Sequence, residues 1–438
     1  MRKSSQDIMD PDEAPYVVNM HQSDALELVK SGAMLLILGM PANSSFGLNT
    51  QMFLVGPNFK GVKMLLPGPH FVYYSARSKH GGDASPVTGF FIHASPSEVI
   101  VRKWDTQEER LVKFSDSSEE EGFAMAARNL EYDRQLAPYD LDRHKIWQSL
   151  TNFISPTVIE KIEPVDGDIS VMAEASLVQH APKTVAEKRL FEQLRKNTDL
   201  QGPEEPLKVD KENDSRISSS ISNSTKGQAE SKSSGRCFYT HLPHLIKKAG
   251  MSASELTAMN IDKSQALESI LQKDFDGQEE LLLGELQFCF IAFLMGQSLE
   301  AFGQWKGIVS LLLRCEDAPL RMRTTFFSKF LGVIYWQLKQ SLQPEKKGPN
   351  DYLILMDDGW LADDNFFRLL LKDFLNMLKD ATPVNGELLR QVKRLRKLFE
   401  TTLGWIFDMD SIVGEEEDEY APVIVYDEDS AMRESTYA

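Results

Sequence analysis

Between Tyr16 and about Phe114 the apolar residues fall in short runs broken by Gly-Pro and Gly-Gly elements. MLLIL (34–38), MFLV (52–55), VKMLL (62–66), HFVYYS (70–75) and GFFIH (89–93) are rich in β-branched, aromatic and aliphatic residues, and the spacing predicts strands. EVIVRKW (98–104) and RLVKF (110–114) flank DTQEE as the arms of a hairpin, with Val99 and Val101 on one face. One helix is expected near Asp24–Lys30. Short strands at this spacing predict a sandwich or barrel.

Near Ser118 the period changes. SSEEEGFAMAARNLEYDRQL opens with serines and acids and continues with helical periodicity, as a capped amphipathic helix does. HKIWQSLTNFI follows, with Ile146, Leu150 and Phe153 as its expected inner face. Both helices are expected to pack on the β-domain. From His241 to Phe407 the pattern is helical almost throughout. Leu282, Leu286 and Phe290 form one stripe, and SLEAFGQWKGIVSLLLR and SKFLGVIYWQLKQ supply two further helices. In DDNFFRLLLKDFLNMLKD the acids and Asn365 can cap, with Phe366, Leu370, Phe374 and Met377 on one side. In ELLRQVKRLRKLFE the expected inner residues are Leu388, Val392, Leu395 and Phe399. Arg390, Lys393, Arg394 and Lys397 lie opposite them.

The expected architecture is therefore α+β with two domains. A β-rich domain with packed helices covers 16–165, and an all-α domain covers 237–410. Residues 1–15 are polar and expected to be disordered, 166–200 connect, and 201–236 form a disordered linker. Nine of the twenty residues from Ser215 to Ser234 are serine, too few apolar side chains to offset the entropy of ordering. Ser218, Ser219, Ser220 and Ser222 are candidate phosphorylation sites there. Residues 411–438 are an acidic tail.

Charge narrows the function classes. With 65 acidic and 48 basic residues the formal net charge is -17, which opposes a broad nucleic-acid footprint and suits a protein that meets basic protein surfaces. The three cysteines, Cys237, Cys289 and Cys315, give neither a disulfide framework nor a metal motif. The run from Leu281 to Gly296 is too short for a membrane span and contains Glu285 and Gln287, so it reads as a buried helix. No phosphate loop, dinucleotide fingerprint, nucleophile elbow or metalloprotease motif is present. His70 and His93 could line a small metal-holding barrel, though no third ligand stands at a telling spacing. His241 and His244 form a second, isolated pair. No cofactor is expected.

The tail poses its own question. After Glu415–Glu419 comes Ala421-Pro-Val-Ile-Val-Tyr426, a single strand without a local partner. Val423 and Val425 would face one way and Ile424 and Tyr426 the other. Such a segment suits strand addition to another protein's sheet edge, or it folds back on the chain's own β-domain edge. The basic helix face of Arg390 to Lys397 could touch RNA, or be solvated or paired with acids of the same chain.

Gly39–Asn49 (GMPANSSFGLN), Val55–Ser75 (VGPNFKGVKMLLPGPHFVYYS), GFFI, WQSLTNFIS, LGELQFCFIAFLMGQSLEAFGQWK, DDNFFRLLL and APVIVY together resemble the A1-cistron splicing factor family. The likeness spans roughly Val17 to Pro164 and His241 to Tyr426. It implies a non-catalytic assembly factor for the U-five small nuclear ribonucleoprotein, found in cytoplasm and nucleus. It also implies that the helical domain is similar to VHS domains. Such a factor binds the large spliceosomal scaffold protein through that protein's RNase H-like and Jab/MPN-like domains and excludes the helicase that later takes the same ground. The resemblance places the scaffold-binding tail strand on Val423, Ile424, Val425 and Tyr426. No direct nucleic-acid contact and no membrane are expected, and a monomer is. The rival readings are a VHS-type trafficking adaptor and a metal-dependent β-barrel enzyme.

Overall fold

The computed structural model describes residues 22–76, 85–164, 167–170, 237–243, 250, 252–342, 366–381 and 384–405. Helix α1 (Gln22–Ser31) leads into β1 (Ala33–Leu38), β2 (Ser45–Leu48), β3 (Gln51–Leu54), β4 (Gly61–Leu65), β5 (Gly68–Ser75), β6 (Thr88–Ala94), β7 (Val99–Asp105) and β8 (Arg110–Val112). Then come α2 (Ser117–Arg128), the two-residue β9 (Ala137–Pro138), α3 (His144–Thr151), α4 (Pro156–Ile162) and β10 (Ile169–Ser170). The helical part comprises α5 (Ala253–Ile261), α6 (Ser264–Asp274), α7 (Glu279–Leu294), α8 (Leu299–Leu313), α9 (Thr324–Ser341), α10 (Phe366–Asp380) and α11 (Gly386–Leu403). The chain is thus α+β with a β-rich N-terminal domain and a helical C-terminal one.

Among the described residues the strands form two five-stranded sheets, ordered β8-β7-β1-β4-β9 and β10-β6-β5-β2-β3. Most pairs are antiparallel, but β1 runs parallel to β7 and β4 parallel to β9. Strand residues sort cleanly by face. Leu35, Ile37, Val72, Tyr74, Phe90, Ile92 and Ile100 meet between the sheets. Leu36, Val99 and Val101 turn outward onto Ala124 and Ala127 of α2. Phe71, Tyr73 and Phe91 turn outward from the second sheet into the core of the helical domain. Both faces of both sheets are covered, which is why the central strands read as continuous apolar runs rather than alternating ones.

Helices α3 and α4 do not simply coat the β-domain. Trp147, Leu150, Ile154, Val158 and Ile162 join Phe71 and Phe91 on one side and α7 on the other in one hydrophobic cluster. The Trp147 indole donates to the Pro69 carbonyl at 2.7 Å and pins α3 to β5. The inner face of α3 differs from the expected one. Trp147, Leu150 and Thr151 are buried while Ile146 is 37% exposed. The helix ends at Thr151, so the i, i+4, i+7 stripe drawn to Phe153 runs past it.

Helix α10 is likewise turned from the expected stripe. Phe367, Leu371, Phe374, Leu375 and Leu378 are buried, and Leu369 is 59% exposed. Leu370 and Met377 sit at the margin. On α11 the expected residues Leu388, Val392, Leu395 and Phe399 are the buried ones. Among the described residues no helix is long and apolar enough to cross a membrane.

Candidate interaction surfaces

The junction between the domains is built around α7, whose residues from Leu282 to Leu294 are buried on every side. Phe288 of α7 stacks on Phe91 of β6, with centroids 4.4 Å apart at 27°. Two polar side chains inside this run bond to segments remote in sequence. Glu285 accepts from the Thr240 amide at 2.8 Å, the Thr240 hydroxyl at 2.6 Å and Gln304 Nε2 at 2.9 Å, with Lys161 Nζ 3.9 Å away. Gln287 accepts from the Phe153 amide at 2.8 Å through its Oε1 and donates to Asn152 Oδ1 at 2.7 Å through its Nε2. Gly284, one residue before Glu285, lies against the Phe153 carbonyl. The sequence shows these two residues only as polar breaks in an apolar run. Their partners supply the reason: each buried polar atom meets a complement. Glu285→Gln should lower unfolding free energy by about 1 kcal/mol in denaturant titration, since charge-assisted bonds become neutral ones.

The two histidines proposed as a metal pair are not brought together as ligands. His70 is fully buried. Its Nε2 is 2.7 Å from the Leu66 carbonyl and its Nδ1 2.8 Å from Asn49 Nδ2. The network assigns the proton to Nε2, which donates to Leu66, so that Nδ1 accepts from Asn49. Burial pushes the His70 pKa down to about 4. Asn49 also donates to the Tyr139 hydroxyl at 2.8 Å and accepts from the Phe71 amide at 3.0 Å. His70 therefore joins β5 to Asn49 and, through it, to Tyr139 just after β9, in a network whose donors and acceptors are matched. His93 lies exposed on β6. Among the described residues no cluster of three or more metal-ligating side chains occurs. His241 is exposed, and His244 lies outside the described residues.

Two surfaces have the geometry of contact sites. One is the outer edge of the second sheet. Strand β3 pairs with β2 on one side, is its sheet's last strand among the described residues, and carries Leu54 at 65% exposure. A fold-back of the tail strand would use such an edge. The other is a ridge of α9 and α11. Arg390, Lys393, Arg394 and Lys397 are exposed, as expected, and Arg390 pairs with Glu387 at 2.9 Å. The Arg394 guanidinium lies 3.8 Å from the Tyr335 ring centroid and 5.1 Å from that of Trp336. Lys339 Nζ lies 5.0 Å from the same indole. Sequence reasoning gave the basic face of α11. It missed the aromatic pair and Lys339, which a different helix brings to it.

A cleft lined by Phe90, Arg102, Arg110, Lys113, Glu163 and Asp168 carries both signs of charge. Arg110 there bridges Glu108 and Asp168. The tail strand residues Val423, Ile424, Val425 and Tyr426, and Ser218, Ser219, Ser220 and Ser222, lie outside the described residues.

Comparison with known proteins agrees with the two-part architecture. Residues 31–164 match the AAR2 N-terminal domain and residues 239–408 the AAR2 C-terminal repeat region. The human Protein AAR2 homolog is 30% identical over 409 residues, 93% of this chain and 97% of its own length. The mouse homologue is 30% identical over 402 residues, covering 92% and 95%. That of Caenorhabditis elegans is 27% identical over 385 residues, covering 87% and 97%.

Proposed function

This chain belongs to the AAR2 family of splicing and U-five small nuclear ribonucleoprotein assembly factors, and from that premise we propose that it is a non-catalytic holding factor for the particle's large scaffold protein. It binds the scaffold's RNase H-like and Jab/MPN-like domains, blocks early entry of the helicase, and works as a monomer in cytoplasm and nucleus. The observation that carries this reading is a likeness that runs the length of both domains and includes the buried segments that join them.

The mechanism is occupancy. A factor that binds only the precursor stabilises it by RT ln(1 + [L]/Kd), about 2.7 kcal/mol at a hundredfold excess over Kd. Its departure opens the ground to the next component. The tail strand Val423–Tyr426 adds to the scaffold's sheet, with backbone bonds supplying affinity and alternate side chains reading two faces. New charge on the serines from Ser218 to Ser222 is a release signal acting through local electrostatics.

Calorimetry of the full chain against the two scaffold fragments tests this. Val425→Pro removes a strand donor without changing the tail's charge and should weaken binding about tenfold, or about 1.4 kcal/mol. A chain ending at Gly414 should lose at least as much. Binding indifferent to both changes would return the tail strand to an internal role, such as the β3 edge. No binding by the full chain would overturn the scaffold reading altogether.

A further inference from the structure

We propose that the acidic run Glu415–Glu419 of this chain docks on the α9–α11 ridge of Lys339, Lys393, Arg394 and Lys397. Among the described residues no carboxylate pairs with any of these four cations. That is unusual company in a chain with 65 acidic and 48 basic residues. The neighbouring cations on the same helix are already matched, Arg390 by Glu387 and Arg396 by Glu400. Arg394 and Lys339 are held over the two rings, so less side-chain freedom is lost when an anion arrives. Among the described residues the ridge is thus a preformed cationic strip without an anionic partner.

Reach and direction favour the chain's own tail. Helix α11 ends in a left-handed cap at Gly404, with φ 65°, and Trp405 stacks on Phe399 at 5.1 Å. The Arg368 guanidinium lies 5.5 Å from the Trp405 ring centroid. The exit of the chain is therefore fixed at the end of the helix that carries the strip. Lys397 lies about 9 Å and Lys393 about 15 Å back along the axis from Leu403, at 1.5 Å per residue. The ten residue-to-residue steps from Trp405 to Glu415 span up to about 33 Å when extended, which is ample for the return. A tether of this length holds the run at an effective concentration of order mM, so weak ion pairing suffices. Five consecutive carboxylates against four cations is the right stoichiometry. RNA would offer the same charge, but it would have to approach a protein of net charge -17.

Docking has a consequence that rests on the scaffold-binding reading of the tail. Val423–Tyr426 begins four residues after Glu419, so a docked acidic run keeps the strand beside α11 until a partner's sheet competes for it. High salt or charge reversal on the ridge would then ease that exchange.

The test needs no scaffold, so its failure and that of the scaffold reading are distinguishable. The full chain is treated with a zero-length carboxyl-to-amine cross-linker, and the monomer fraction is digested and mapped. Links from Glu415–Glu419 to Lys339, Lys393 and Lys397 are expected at low salt, falling about tenfold in 0.5 M salt as screening shortens to a few ångströms. Arg394→Glu, which leaves the three acceptor lysines in place, should suppress those links. Replacing Glu415–Glu419 by lysines in a Lys393→Glu, Lys397→Glu chain should restore them with reversed polarity. Links from the tail spread evenly over other lysines, or unaffected by Arg394→Glu, overturn the proposal. So does tight binding of a single-stranded RNA oligomer to the wild-type chain that Arg394→Glu abolishes.

Discussion

Gly284→Ala lowers the unfolding free energy of the chain by about 2 to 3 kcal/mol, although alanine is the better helix former. In an open helix the change would stabilise by about 1 kcal/mol. At Gly284 the added methyl would meet the Phe153 carbonyl oxygen, and Val158 Cγ2 at 2.7 Å. The first obstacle is backbone, held by the bond from the Phe153 amide to Gln287, so it cannot swing aside. Overpacking of this kind typically costs 1–3 kcal/mol, occasionally more, and it exceeds the propensity gain. Gly303 on α8 is the control, because nothing lies within 4 Å of its added methyl. Gly303→Ala should be neutral or stabilising in the same denaturant titration. Equal effects at the two positions would mean that α7 and the 149–155 segment do not approach so closely. Because this contact joins the two domains, Gly284→Ala should also weaken any binding that needs both.

The strands were legible because their faces are all covered. MLLIL, HFVYYS and GFFIH are unbroken apolar runs, and each alternates between two cores rather than between core and water. Strand β2 was not legible. Its SFGL carries a glycine, which weakens strand propensity. The reason for that glycine lies 26 residues on, where the Tyr73 ring occupies the place of a side chain at Gly47. Helix α2, α3 and the helical character of 241–407 were readable, but α4 (Pro156–Ile162) was not singled out, nor was the turn of α3 and α10. Phe366 to Leu378 contains two interleaved apolar stripes, and only the neighbouring helices decide which is buried. Nor could the sequence pair Glu285 with Thr240, or Gln287 with Phe153, across separations of 45 and 134 residues. The basic face of α11 was read directly from spacing. Its completion by Lys339 and the two rings comes from a helix some fifty residues earlier.

Acidification from pH 7.5 to 5 costs the fold about 2 kcal/mol through His70, rising to about 3 kcal/mol near pH 4. The cause is burial, which lowers the pKa from 6.5 to about 4, with the nearby His144 and His93 acting in the same direction. An unfolded chain takes up the proton as pH falls through 6.5, whereas the folded chain refuses it until about 4. Between those values the unfolded state binds more protons, so stability falls as pH falls. Each pKa unit corresponds to 1.36 kcal/mol, which sets the size of the loss. His144, also lowered by burial, adds to the same trend. Carboxylates held low by their partners, such as Glu268 beside Arg323, add a loss of their own as pH falls through the carboxylate range. Protonation would also break the network, because the Nδ1 that accepts from Asn49 would become a donor facing another donor. Two measurements separate His70 from the rest. Imidazole NMR should show His70 neutral at pH 5, and unfolding titrations at pH 7.5, 6 and 5 should show the decline. An imidazole that titrates near 6.5 would mean that the Asn49–His70–Leu66 network is open to water.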